Sequence, residues 1–339
     1  MATSSAASAF LLENVDSRSI LGNNAPVIER SLPSRIWRGS LFALVVAVFA
    51  GHVFGGWYFS GEILDRVFTP PAAAEETPQD WLYATPEQAG LAVTEIEYES
   101  PIGPMDAWVT DGTRSEWVIH VHGKGGGPGE ALRSMRFLDE AGYHQMAITY
   151  RNDPGQPTDP SGQYRFGVTE REDLAAAVEY VRSQGASDII LYGYSTGAAI
   201  SMAYAIRQPI GTIANMVFDS PNLNLEETVD FGASQEDIPI AGLPVPFTVG
   251  AIAKFFTALR TDINWRSFDY LDKSEALSMP VLIFHGTDDT TVPIDTSRQL
   301  AELRSDLVRF VIVEGAGHVE SYNVDPASYQ LAVLDFLAG

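Results

Sequence analysis

From about Ala84 to the C-terminus, short apolar runs alternate with amphipathic segments, and this alternation constrains the fold more than any other property of the chain. Thr94–Ser100 and Met105–Val109 read as an antiparallel pair joined by a turn over Pro101–Pro104, and WVIHV, QMAIT, DIILYG, NMVFD, PVLIF and VRFVIV follow as strands. Between most of them lie helical patterns over Glu130–Ala141, Glu170–Gln184, Thr196–Arg207, Ile294–Leu303 and Pro326–Ala338. Strands separated by helices of ~10–15 residues imply βαβ units, so the predicted fold is α/β, a mostly parallel sheet flanked by helices. Ligands of such sheets sit beyond the carboxyl ends of the strands, and functional residues are sought where each apolar run stops.

One run stops in G-Y-S-T-G, residues 193–197, directly after DIILY and directly before a helix with Ala198 and Ala199. In that setting G-x-S-x-G is an elbow that exposes the serine hydroxyl, with glycines where neighbouring side chains would clash. The pattern alone is weak in a chain with 29 glycines; the strand-turn-helix context makes Ser195 the candidate nucleophile. A serine hydroxyl needs a base to take its proton, and the base needs an acid to fix its tautomer.

Six histidines are available. His52 lies in an apolar segment, His144 reads as solvated between a helix and a strand, and His120, His122 and His285 lie within or at the ends of strands. His120 and His122 are expected to be one packing histidine and one that shapes the next turn. His318, in E-G-A-G-H after VRFVIV, is in a glycine-loosened loop at a strand's carboxyl end, which makes it the candidate base; a plain surface-loop histidine is the alternative. For the acid, H-G-T-D-D-T-T-V-P at 285–293 offers two aspartates. Asp289 stands three residues before Val292-Pro293 and fits D-x-x-V-P, while Asp288 is a turn residue or the alternative acid. The glycine-rich H-G-K-G-G-G at 122–127 lets backbone N–H groups point at a developing oxyanion, and the hole is assigned to the amides of Lys124 and Thr196. The Lys124 side chain is expected to be exposed. A phosphate loop is the competing reading, but G-x-x-x-x-G-K-[ST] is missing.

Strand-H-G-K-G-G, strand-G-Y-S-T-G, H-G-T-D-D-T-T-V-P and G-A-G-H, in this order, resemble the α/β-hydrolase superfamily in its serine-aminopeptidase-like and monoacylglycerol-lipase-like branch. The resemblance covers roughly residues 84–339, and T-Y-R-N-D at 149–153 is similar to membrane-anchored actinobacterial members. It implies an α/β-hydrolase fold with a cap insertion, and a serine hydrolase in which Ser195, Asp289 and His318 appear in the chain order such a sheet imposes. Many relatives carry a second glycine where this chain has Ala198, one extra methyl behind the elbow. The scaffold does not name the substrate. An acyl ester, thioester or amide cleaved through an acyl-enzyme is the expected small-molecule substrate. A serine aminopeptidase, an acyltransferase and a catalytically silent binding ectodomain stay open. A metallohydrolase on His120-Val-His122 lacks a following Asp-His pair, and neither a cofactor nor a metal is expected.

Composition narrows the remaining classes. With 45% hydrophobic and 19% charged residues the chain is a folding one, and a net charge of −23 argues against nucleic-acid binding. No cysteine is present, which removes disulfides, thiolate nucleophiles and cysteine-ligated zinc. Residues 1–40, rich in Ser, Ala and Asn, carry Arg18, Arg30, Arg35 and Arg38 against Glu13, Asp16 and Glu29, and read as a disordered cytoplasmic tail. The uncharged run Leu41–Phe59 nearly spans a hydrocarbon core of ~30 Å at ~1.5 Å per residue, so 41–60 is expected to be a transmembrane helix. The arginines before it, with Glu62 and Asp65 after it, place the N-terminus inside and the catalytic domain outside, in a single-pass protein of the cell membrane. A signal sequence cut after Val48-Phe49-Ala50 and a buried core helix are the alternatives. Residues 61–83, with T-P-P-A-A-A-E-E-T-P-Q-D, read as a stalk. Gly51 and Gly55 form a G-x-x-x-G pair that leaves a weak helix-mediated dimer open, although a chance pair of small residues explains it better.

The segment 221–268 is too long for a simple crossover and is expected to form the cap. IPIAGLPVPF at 238–247 is broken by prolines, and Ile252, Phe255, Phe256 and Leu259 then fall on one helical face. That face is expected either to pack on the domain or to line an acyl pocket.

Overall fold

The computed structural model describes residues 33–70, 82–235 and 246–339. Most of the tail 1–40, most of the proline-rich stretch 69–80 and most of 238–247 lie outside the described residues. The chain divides into residues 1–48 and 49–339.

Helix α1 (Pro33–Ile63) runs into a π-helical turn over Leu64–Phe68, and α2 (Pro86–Ala89) is a single turn. Strands β1 (Thr94–Ser100), β2 (Gly103–Thr110) and β3 (Trp117–Val121) lead to α3 (Leu132–Glu140), β4 (His144–Ile148), α4 (Arg171–Ser183), β5 (Ile189–Tyr194), α5 (Thr196–Ala205) and β6 (Asn215–Asp219). The insertion contributes α6 (Leu225–Gln235) and α7 (Phe247–Thr261); β7 (Val281–Gly286), α8 (Ile294–Leu303), β8 (Val308–Val313), α9 (Ser321–Val324) and α10 (Pro326–Leu337) close the domain. The eight strands form one sheet in the order β1-β2-β4-β3-β5-β6-β7-β8. β2 pairs antiparallel with β1 and β4, and every other pairing is parallel.

The central strands are buried throughout, as their unbroken apolar runs require. Alternate side chains serve opposite faces: Ile119, Leu191, Phe218 and Ile283 belong to one core, and Val118, Tyr192, Val217 and Leu282 to the other. Their carboxyl ends deliver the loops after β3, β5, β7 and β8 to one edge of the sheet.

The chain after the apolar run departs from the expected stalk. Phe68 is fully buried, its ring 5.8 Å from Phe166, 6.0 Å from Trp265 and 6.2 Å from Phe268. Its carbonyl accepts the Tyr164 amide at 2.9 Å. An aromatic beside an apolar cluster is removed from water rather than left in a linker, so 61–68 join the folded unit. Of the pair Gly51 and Gly55, an added Cβ on Gly51 has nothing within 4 Å, and the contacts are made by Gly55 and its neighbour Gly56. A Cβ on Gly55 would lie 3.4 Å from Val249, and one on Gly56 would collide with Ile252. Gly55 and Gly56 thus permit a close approach to α7 of the same chain.

Candidate active site

Ser195 sits between β5 and α5 at φ 48°, ψ −112°, a strained conformation for a residue with a Cβ. It is held by its neighbours: its amide donates to Asp219 O at 3.0 Å, and its carbonyl accepts from Asn222 and Ala198 at 3.1 and 3.2 Å. The flanking glycines are steric necessities. A Cβ on Gly197 would collide with the Val121 carbonyl, and one on Gly193 would lie 2.6 Å from the Ala198 Cα. Thr196 opens α5, so its N–H has no acceptor within the helix.

The loop after β8 brings His318 Nε2 to 2.9 Å from Ser195 Oγ, and His318 Nδ1 lies 2.8 Å from Asp289 Oδ2. The other oxygen of Asp289 accepts the amides of Thr291 and Val292, each at 2.9 Å. Asp288 is exposed, and its carboxylate accepts the Thr287 hydroxyl at 3.2 Å. Sequence reading missed His285, whose Nε2 lies 3.1 Å from the same Asp289 oxygen while its Nδ1 meets Ser297 Oγ at 2.8 Å. Burial pushes the Asp289 carboxyl up, but the hydrogen bonds of His285 and His318 and the backbone donors outweigh it and hold the group well below its ordinary range. The signal was present in H-G-T-D-D, where the histidine precedes the acid by four residues.

Val319, beside His318, adopts φ 58°, an outlier for a β-branched residue. Ser220 Oγ accepts its amide at 3.0 Å, and buried Arg133 donates to its carbonyl at 2.6 Å. Ser321 bonds Asp219 at 2.6 Å, so the histidine loop is fastened to the end of β6.

The glycine loop adjoins the serine: a Cβ on Gly123 would lie 3.2 Å from that of Ser195. Buried Glu130 accepts the Gly123 amide at 2.6 Å, and the Gly123 carbonyl accepts His122 Nδ1 at 2.7 Å and the Tyr150 hydroxyl at 3.2 Å. In a planar trans peptide the N–H points opposite the C=O, so the Lys124 amide is aimed away from His122 and Tyr150. The Lys124 ammonium donates to the Arg66 carbonyl at 2.5 Å in an exposed position, where the turn after α1 lies over the loop.

T-Y-R-N-D, marked in the sequence only by resemblance, supports this loop from below. Asp153 Oδ2 lies 2.8 Å from His122 Nε2, Tyr164 donates to Asp153 Oδ1 at 3.1 Å, and Arg151 makes a bidentate pair with Asp173 at 2.8 and 2.9 Å. Both ring nitrogens of His122 face acceptors, a carbonyl and a carboxylate, which fits an imidazolium. Burial alone would lower its pKa; the Asp153 charge and hydrogen bond more than offset this, and the pKa is raised. His120 behaves oppositely: burial pushes it down to about 4, and its Nε2 pairs with Gln145 at 3.0 Å. The other ring nitrogen of His120 lies 3.4 Å from the Tyr194 hydroxyl. His144 is not simply solvated; it accepts the Gly112 amide at 3.0 Å and stacks on Trp117 at 4.9 Å.

The expected acyl-pocket face of α7 is turned elsewhere. Phe255 and Leu259 are exposed, Ile252 meets Gly56, and Phe256 lines a groove with Phe49 to Trp57 of α1. The helix buries Val249, Ala253, Lys254, Thr257 and Thr261 instead, and Lys254 pairs with Glu226 and Asp230 at 2.9 and 2.7 Å.

Residues 118–329 match the model of the alpha/beta hydrolase family. Among known proteins, the chain is 24% identical over 202 residues to human Protein ABHD12B, covering 57% of this chain and 51% of that one. It is 24% identical over 195 residues to the zebrafish (Danio rerio) lysophosphatidylserine lipase ABHD12, covering 55% and 46%. The matches therefore span about half the length of these two relatives. In structure it resembles the Pyrococcus furiosus esterase Pf2001, with a TM-score of 0.61 at 20% identity, covering 80% of this chain and 98% of the esterase.

Proposed function

The chain belongs to the alpha/beta hydrolase family and is a hydrolase, and from that premise we propose that it cleaves acyl esters through a covalent acyl-serine. The observation that carries this reading is the unbroken relay from Ser195 Oγ through His318 to Asp289. Ser195 Oγ adds to the carbonyl carbon as His318 Nε2 takes its proton, and Asp289 remains ionised and keeps the other proton on Nδ1. The amides of Lys124 and Thr196 meet the negative charge that develops on the carbonyl oxygen. Collapse of the adduct breaks the bond to the alcohol, which leaves with the proton from Nε2; water then repeats the sequence and releases the acid.

The substrate class follows from the chain's setting. Trp37–Phe68 is long and apolar enough to cross a membrane. With Arg30, Arg35 and Arg38 before the apolar run and Glu62 and Asp65 after it, we read α1 as a single-pass anchor with 1–40 cytoplasmic and the hydrolase domain, 84–339, outside. A hydrolase at a membrane meets lipid esters, and the zebrafish relative's activity as a lipase agrees with that choice. Aminopeptidase or acyltransferase chemistry would use the same three residues with an amine leaving group or an alcohol in place of water. A serine-reactive fluorophosphonate should label the wild type and leave Ser195→Ala unlabelled; equal labelling of both would overturn the assignment.

A further inference from the structure

Helix α7 has three unlike sides. One is buried against the domain and carries Lys254, whose pairing with Glu226 and Asp230 is described above; Trp265 Nε1 adds a bond to the Lys254 carbonyl at 3.2 Å. A second side carries Phe247, Phe255 and Leu259 in one stripe at multiples of four residues, 80%, 60% and 65% exposed. The third runs along α1. Val249 and Ile252 meet Gly55 and Gly56, and Phe256 closes an apolar groove whose other wall is Phe49, Ala50, Val53, Phe54 and Trp57. Arg260 ends the contact, donating to Ser60 Oγ at 2.8 Å with its guanidinium 5.9 Å from the Trp57 ring.

We propose that α7 is a membrane-docking helix, with Phe247, Phe255 and Leu259 immersed in the outer leaflet of the bilayer that α1 crosses. The inference rests on the anchor reading of α1 given above. Residues 49–57 occupy the outer half of the uncharged run 41–59, so a helix lying along them is at the depth of the hydrocarbon and its interface. The stripe continues an apolar surface already exposed on α1 at Phe49, Phe54, Trp57 and Tyr58, and an exposed patch of this kind marks an interaction site. Arg260 beside Trp57 and Ser60 sits where a cation and an indole belong, at the level where the helix leaves the hydrocarbon. The cap is thereby held on the lipid surface, and the acyl ester it serves is one whose chain resides in that leaflet.

The chain has no cysteine, so single spin labels can be placed without background. The full chain in phosphatidylcholine–phosphatidylglycerol vesicles is labelled at Phe255→Cys, Leu259→Cys, Val46→Cys on α1 and Glu302→Cys on α8, all exposed, so folding is undisturbed. Relaxation by oxygen is compared with relaxation by a water-soluble nickel chelate. The proposal expects oxygen to exceed nickel several-fold at 255, 259 and 46, and the reverse at 302. Nickel dominance at 255 and 259 with 46 protected overturns the docking while leaving the anchor intact; nickel dominance at 46 as well removes both. Spin–spin broadening at 255 and 259 that disappears on dilution with unlabelled chain identifies a second copy as the occupant and also overturns the proposal.

Discussion

His122 and Asp153 form a buried pair beneath the glycine loop, Nε2 to Oδ2 2.8 Å, with side chains 1% and 4% exposed. Because His122 Nδ1 also holds the Gly123 carbonyl, the pair sets the plane of the peptide that carries the Lys124 amide. Asp153→Asn should lower kcat by roughly 10- to 100-fold, as expected when an oxyanion donor is misaimed, with a smaller change in KM. Steady-state kinetics on a short-chain ester checks this. An unchanged kcat would remove the pair from the function of the loop.

The same pair predicts an alkaline loss of stability. His122 has a pKa raised above its unfolded value, so its contribution is complete below about pH 6.5 and is lost as pH rises through the folded value. Thermal unfolding from pH 6 upward should fall more steeply for the wild type than for His122→Gln.

At the other end of the scale, Asp289 has a depressed pKa, so its contribution is present above the unfolded value and lost as pH falls through the folded one. The window lies below about pH 4, the ordinary range of an aspartate. Wild type should lose stability there faster than Asp289→Asn, as denaturant midpoints measured at pH 5, 4 and 3 would report.

Two adjacent aspartates should separate cleanly in activity. Asp289→Asn should reduce kcat by about 10⁴-fold, since the amide stabilises the wrong imidazole tautomer. Asp288→Asn should stay near wild type, its side chain being exposed and accepting the Thr287 hydroxyl at 3.2 Å. Equal losses would return the acid to an unassigned state.

Glycine substitutions test the packing of the elbow. Gly197→Ala drives a methyl into the Val121 carbonyl and should destabilise by about 3 kcal/mol or prevent folding. Gly250→Ala, within α7 with nothing inside 4 Å of the added carbon, should stabilise by up to about 1 kcal/mol through helix propensity. Chemical denaturation distinguishes the two.

How much of this was legible follows from the range of the interactions. β3, β5, β6, β7 and β8, and helices α4, α5, α8 and α10, were readable within a residue or two, because apolar periodicity, Gly193, Gly197 and the loop glycines act over a few neighbours. The order of Ser195, Asp289 and His318 was readable for the same reason, each standing where an apolar run ends. Sequence could not show that Asp153 would meet His122 across 31 residues, or that Arg133 would hold the Val319 carbonyl across 186. It also put Ile252, Phe255, Phe256 and Leu259 on one helical face without saying what that face would meet. Periodicity is fixed by local backbone geometry, whereas the side of α7 that is buried depends on packing between distant segments: Ala253, Thr257 and Thr261 are buried, Lys254 pairs with Glu226 and Asp230, and Val249 and Ile252 meet α1. Phe68 left its linker for the same kind of reason, since the aromatic cluster that buries it is assembled only when Phe166, Trp265 and Phe268 are brought together.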